Sequence, residues 1–357
     1  MAAPVKADLA MNDELALWRG FDAVGFDLDG VLYRGTSVVA SAAATLARLR
    51  QCDVKIGFVT NNAQRGPAEI CHFLDGFGIT ATPEAVVTSA QATAHLMATS
   101  LPPGSTVMCL GSQALSAEIA AVGLHPVAPG PRLVDAVCLG FDPSLSWADL
   151  NEGCYAVQGG AAYYACNDDC SRPTDRGTAV GTGGILAAMA GALPSVIPIK
   201  GGKPTRPLLD EAKLRLGAKQ PLFVGDRLDT DMAGAYQAGW ASLMVLTGTH
   251  GPADLVQAHP GERPTFVAAD VAGLLEHPRL AVPQGLGWRC GEAQAYLKAG
   301  QIVVEGNLAE LSARLDALWA VAQLAWQLAD SHVEADASNA LSRLGVADGV
   351  SSSGHFG

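Results

Sequence analysis

The sequence has 357 residues, of which 49% are apolar and 16% charged, a composition suited to a compact folded protein rather than a disordered one. Its formal net charge of −12 argues against a nucleic-acid binder or a protein of anionic membrane surfaces. The same charge repels phosphorylated ligands at long range, so any phosphate site must be built locally from a cation, backbone N–H groups and a metal. The eight cysteines contain no C-x-x-C pair, only a lone C-x₃-C at Cys166 and Cys170, and are expected to be reduced structural thiols. Residues 1–20 lack the basic-then-apolar pattern of a signal peptide, and the longest apolar run, 185–193, is too short to span a bilayer. The expectation is a cytoplasmic protein without a membrane span.

In chain order, short β-branched runs ending in Gly, Asp or Thr occur at 23–27, 54–60, 107–111, 136–140, 222–226 and 242–247. They read as buried parallel strands. Segments of helical period lie between them, notably 41–50, 67–77 and 206–216. Strand alternating with helix predicts an α/β protein, a doubly wound Rossmann-like parallel sheet. Residues 83–176 have a strand-helix pattern of their own and read as a second α/β domain, inserted between the halves 1–82 and 177–277 of the first.

The character changes in the C-terminal extension, 278–357. Residues 289–304 suit a hairpin or strand pair. Asn307 with Glu310 matches a capping box, and Leu308, Leu311, Leu315, Leu318, Ala322 and Ala325 follow at helical spacing. An amphipathic helix is predicted, with a second around 335–344. Its apolar face is expected to dock on the main domain, with a dimer contact as the alternative, and 351–357 are expected to fray.

The polar residues that look chemical sit where strands end, the edge at which open α/β sheets bind ligands. Asp27 and Asp29, one residue apart before the turn at Gly30, can bring two carboxylates to one reaction centre, one to attack and one to serve a leaving oxygen. An EF-hand reading fails because Val31 and Val38 occupy positions that need oxygen ligands. Thr60, Asn61 and Asn62 end the next strand and can hydrogen-bond phosphoryl oxygens, although Thr-Asn also caps helices. Lys203, between Gly202 and Pro204, fails the P-loop pattern but supplies a rigidly held cation. Asp226, at another strand end, suits a Mg²⁺ ligand, and Asp231 can orient the metal's waters or Lys203. Taken singly, each has a plain alternative as an acidic turn, a cap or a solvated loop.

Together and in this order the four segments resemble the haloacid-dehalogenase (HAD) phosphatases. Asp27 and Asp29 match the first motif of that superfamily, Thr60 the second, Lys203 the third, and Asp226 with Asp231 the fourth. The short interval from Asp29 to Thr60 and the long one from Thr60 to Lys203 resemble the NagD-like, type IIA branch, which carries a C2-type cap domain in the second interval. Thr60-Asn61-Asn62, Lys203-Pro204 and Gly225-Asp226-Arg227-Leu228-x-Thr230-Asp231 are similar to that branch's wording. Two stretches depart from it. Val180-Gly181-Thr182-Gly183 stands for a usual Pro-Gly-x-Gly, and Cys166-Asn167-Asp168-Asp169 for Thr-Asn-x-Asp, which weakens inference of substrate from family.

The resemblance implies a Mg²⁺-dependent phosphomonoester hydrolase working through an aspartyl phosphate. It gives the metal to the Asp27 carboxylate, the Asp29 backbone carbonyl and Asp226, with Asp231 behind them. Asp27 becomes the nucleophile and Asp29 the general acid and base. Thr60, Asn61, Asn62 and Lys203 become donors to the phosphoryl oxygens. Residues 83–176 become the C2 cap, in which Asp142, Asn167, Asp169 and Arg172 are expected at the substrate. The partner implied is a small phosphorylated metabolite, with glycerol 3-phosphate favoured and pyridoxal phosphate, phosphoglycolate or a nucleotide monophosphate left open. A homodimer through the cap or the extension is a further expectation. A non-catalytic binding or scaffolding protein would usually have lost one of Asp27, Asp29, Lys203 or Asp226, and all four are present.

Overall fold

Apolar runs with no polar face to show to water form the centre of the fold. The strands Ala23–Phe26 and Pro221–Gly225 are buried at every position and pair in parallel, Ala23 opposite Pro221 and Phe26 opposite Val224. Ala241–Val245 pairs with Pro221–Gly225 in the same sense, and Phe266–Ala268 extends the sheet beyond it. Strands covered on both faces need no polar alternation, which is why their sequences show none. Parallel pairing also sends both Phe26 and Gly225 to the same edge, so Asp27 and Asp226 leave neighbouring strands side by side.

The computed structural model of the chain describes residues 15–345, Asp175 excepted, and the expected fraying of 351–357 lies outside them. The described residues divide into two compact units, one within Met1–Lys55 and Gln220–Gly357, the other Ile56–Lys219. The second unit has a parallel sheet of five strands in the order Ile199–Lys200, Ala162–Ala165, Ala136–Leu139, Thr106–Leu110, His125–Val127. In the same unit Val86–Thr88 pairs in parallel with the strand Lys55–Thr60, and Ser171–Thr174 forms an antiparallel hairpin with Gly177–Val180. The α/β class read from the sequence is the observed one. The six expected strands appear with ends moved by no more than two residues, and the helices Ala42–Gln51, Pro67–Asp75 and Pro207–Leu216 stand where helical period was read. All eight cysteines are free thiols. Burial pushes the Cys109 thiol up to about 12, which keeps it protonated and inert.

The C-terminal segment is richer in strand than its sequence suggested. Ala281–Gln284, Gly287–Cys290, Ala293–Lys298 and Gln301–Glu305 form a four-stranded antiparallel sheet, where only a hairpin or strand pair within 289–304 was expected. Ala293, Ala295, Ile302 and Val304, among its buried positions, pack with the helix Leu311–Asp330 through Leu318, Trp319 and Ala322. That cluster continues into the main domain at Met244, Leu255, Val256 and Val267. Trp326 fixes the docking. Its Nε1 donates to the Leu255 carbonyl at 2.9 Å, Trp319 meets its ring edge-on at 5.4 Å, and Arg263 lies over it while forking onto Asp330. The expected capping box does not form. Residues 308–310 are not helical, so Glu310 is itself the N-cap position, and Asn307 Oδ1 instead accepts from the Ala309 N–H at 3.1 Å. The second helix is Ser338–Leu344. Among the described residues no helix is long and apolar enough to cross a membrane.

Because Trp326 supplies both ring contacts and a buried hydrogen bond, Trp326→Ala should destabilise the protein by ~3–5 kcal/mol. Urea unfolding monitored by circular dichroism measures this. A change within the error of the wild-type midpoint would show that the segment is held elsewhere.

Candidate active site

In the first unit the sheet edge gathers carboxylates. Asp27, Asp226 and Asp231 each offer an oxygen, and these oxygens lie within 4.8 Å of one another, with Asp226 and Asp231 buried and Asp27 half-buried. The backbone sets each one. Asp27 is fixed by its N–H, which donates to the Val224 carbonyl at 2.9 Å. Asp231 lies in the single π-helical turn Leu228–Met232, where the extra residue turns its side chain back toward the strand end. Its Oδ2 there accepts the N–H groups of Asp226 and Arg227, both at 3.1 Å. Asp226 Oδ2 accepts the Thr249 N–H at 2.6 Å.

Two glycines give the Asp226 carboxylate its space. A Cβ on Gly30, whose φ is +87°, or on Gly248 would overlap the carboxylate itself. Three hard oxygen donors converging in so small a volume repel one another unless a cation sits among them, and oxygen-only sets of this kind suit Mg²⁺ or Ca²⁺. The residues fit a divalent metal.

Asp29 stands apart from that trio. It is half-buried just before the turn at Gly30, its Oδ1 accepting a long 3.4 Å bond from the Gly35 N–H. Burial pushes its carboxyl above the usual carboxylate range, against the pull of the Gly35 and Gly30 N–H groups and of Arg34. A carboxyl biased toward its protonated form is what a general acid requires.

The second unit gathers the neutral and cationic residues. Lys203 is 2% exposed, and Asn61 clasps its backbone twice, accepting its N–H at 2.8 Å and donating to its carbonyl at 3.0 Å. Asn61 also donates to Asp169 Oδ2 at 3.2 Å. Its own carbonyl takes the Ser89 hydroxyl at 2.6 Å and Asn167 Nδ2 at 2.7 Å, while Asn167 Oδ1 accepts the Asp169 N–H at 3.2 Å. Thr60 Oγ1 accepts the Asn62 N–H at 3.1 Å, which leaves its hydroxyl hydrogen to donate.

The remaining expected residues hold loops. Asn62 Oδ1 accepts from Gln64 and Arg65, and Asp142 Oδ1 from the Ser144 N–H and hydroxyl. Arg172, exposed, stacks over the Phe141 ring at 4.4 Å. Asp168 pairs with Lys200.

One functional segment escaped the sequence reading. Residues 247–250 follow the strand Ala241–Val245 and touch the carboxylate site at three places: Thr247 Oγ1 donates to the Gly30 carbonyl at 2.6 Å, Thr249 to Asp226, and His250 Nδ1 accepts the Leu228 N–H at 2.8 Å. The available signal was position: Thr-Gly-Thr-His ends a buried strand, as the recognised motifs do.

A haloacid dehalogenase-like hydrolase family model matches residues 24–125, and a HAD-hydrolase-like model matches 201–274. D-glycerol 3-phosphate phosphatase of Mycobacterium tuberculosis is 42% identical over 269 residues, 75% of either chain. Glycerol-3-phosphate phosphatase of Gallus gallus is 33% identical over 256 residues, 65% of this chain and 82% of that one. The crystal structure of the M. tuberculosis glycerol phosphate phosphatase in complex with magnesium superposes with a TM-score of 0.82 at 36% identity, covering 93% of this chain and 99% of that one. The chain belongs to the haloacid dehalogenase-like hydrolase family. Within that family its similarity reaches phosphatases from a bacterium and a bird, and with 93% of the chain matched it takes in most of the C-terminal segment.

Gly248→Ala should place a methyl group against the Asp226 carboxylate and weaken divalent-cation binding about tenfold or more, at unchanged secondary structure. Calorimetric titration with Mg²⁺ or Mn²⁺ measures it. Wild-type affinity in the variant would mean that Asp226 is not a ligand.

Proposed function

We propose that this chain is a Mg²⁺-dependent phosphatase that hydrolyses glycerol 3-phosphate to glycerol and inorganic phosphate. The observation that carries the reading is the Asp27–Asp226–Asp231 carboxylate group, with Asp29, its carboxyl raised above the usual range by burial, outside it. The similarity to glycerol phosphate phosphatases, one of them solved with magnesium, supports substrate and metal.

Asp27 and Asp226, with the Asp29 backbone carbonyl, would hold Mg²⁺, and Asp231 would steady them from behind. When bound, the ion offsets the repulsion between an anionic nucleophile and an anionic phosphate ester. One carboxylate oxygen of Asp27 attacks phosphorus in line, and the bond to the glycerol oxygen breaks to leave an aspartyl phosphate. Asp29 donates its proton to the departing alkoxide. It then takes a proton from the water that attacks the aspartyl phosphate, releasing phosphate and restoring Asp27. Thr60 and Lys203, with Asn61 and Asn62, serve the transferring phosphoryl oxygens. Asn61 does so chiefly by fixing the lysine, since both ends of its amide are engaged.

Residues 83–176 act as the substrate-selecting cap, with Asp142, Asn167, Asp169 and Arg172 as its contact residues. Self-association through the cap or the C-terminal segment, and a cytoplasmic setting, complete the proposal.

A phosphate-release assay over a panel of glycerol 3-phosphate, pyridoxal phosphate, phosphoglycolate and nucleotide monophosphates tests it. Glycerol 3-phosphate should give the highest kcat/KM, and EDTA should abolish turnover. Asp27→Asn should lower kcat on the order of 10³-fold or more, because an amide is a poor nucleophile. Wild-type turnover in Asp27→Asn would overturn the mechanism, and preference for another ester would overturn the substrate.

A further inference from the structure

The proposed chemistry uses the carboxylates and leaves His250 without a task, yet this side chain is bonded to the loop that carries Asp226. The N–H groups of Asp226, Arg227 and Leu228 enter a helix from outside, so no preceding turn supplies them with carbonyls. Asp231 Oδ2 takes the first two, at 3.1 Å each. The third goes to His250 Nδ1 at 2.8 Å. The His250 backbone N–H returns to the Asp226 carbonyl at 3.3 Å, and the preceding residue, Thr249, donates to the Asp226 carboxylate. One residue thus grips both ends of the three-residue loop.

We infer that His250 is a positioning residue that fixes the Asp226–Leu228 loop through its Nδ1 acceptor and thereby sets how tightly the carboxylate group binds its cation. The inference rests on the Mg²⁺ reading of that group. Accepting through Nδ1 puts the ring hydrogen on Nε2, so what this position supplies is a lone pair two bonds beyond Cβ. Asparagine offers a carbonyl oxygen at the same remove. Leucine fills much of the volume and offers none. If the ring mattered only as filling, leucine would serve better than asparagine. If the acceptor matters, the order reverses.

The test is calorimetric Mg²⁺ titration of the full chain as wild type, His250→Asn and His250→Leu, with thermal unfolding in EDTA to compare the folds without metal. His250→Leu should bind Mg²⁺ about tenfold more weakly or worse, and His250→Asn should stay close to wild type. At saturating Mg²⁺ the KM for the phosphate ester should be unchanged in both. Equal Mg²⁺ affinity in wild type and His250→Leu would overturn the inference, as would His250→Asn binding as weakly as His250→Leu. Should the leucine variant not fold, His250→Ala takes its place with the same two outcomes. A wild-type protein that binds no Mg²⁺ would instead strike down the metal reading itself, and the two failures are told apart by that single trace.

Discussion

Three carboxylate oxygens within 4.8 Å of one another dominate the energetics of this protein's sheet edge. At an effective dielectric constant near 20, each fully charged pair at that distance repels by about 3 kcal/mol. Backbone donors offset part of this: the N–H groups of Asp226 and Arg227 reach the Asp231 carboxylate, and the Thr249 N–H reaches that of Asp226. Three carboxylate oxygens gathered this closely suit a divalent cation, and the scaffold is arranged to hold them together.

Much of this was legible in the sequence, and the reason is local. Buried parallel strands write themselves as uninterrupted apolar runs, and an Asp placed directly after such a run is conspicuous, as at Asp27 and Asp226. Lys203 was legible through its rigid Gly and Pro neighbours. The contribution of 247–250 was not, because backbone N–H donors leave no mark on residue identity: Thr249 could be almost any residue and still donate to Asp226. His250 was missed for a related reason, since a lone histidine after a strand has no spacing partner to announce it.

The side chains around Lys203 teach a different lesson. Asn61 was read as a donor to a ligand, and the structure finds both ends of its amide holding the backbone of Lys203 and the carboxylate of Asp169. Asn62 and Asp142 stabilise the turns that begin with them. Sequence showed that these positions matter without showing whether they touch a ligand or hold what does. In the C-terminal segment the helical period was plain, but the strands at 281–284 and 287–290 were not, because Pro, Gly and Arg interrupt them and their partners lie in an antiparallel ladder that single-strand patterns do not reveal.

The pairing of Ala23–Phe26 with Pro221–Gly225 has a bearing on how the chain matures. Its two halves emerge from the ribosome nearly two hundred residues apart, whereas Ile56–Lys219 forms a compact unit of its own. Contacts across so long a separation form late. Ile56–Lys219 can condense during translation while the side of the first strand that faces Pro221–Gly225 waits for that strand to be made. The Pro221–Gly225 side of Ala23–Phe26 is thus the surface a chaperone would have to shield, for as long as translation of Ile56–Lys219 lasts.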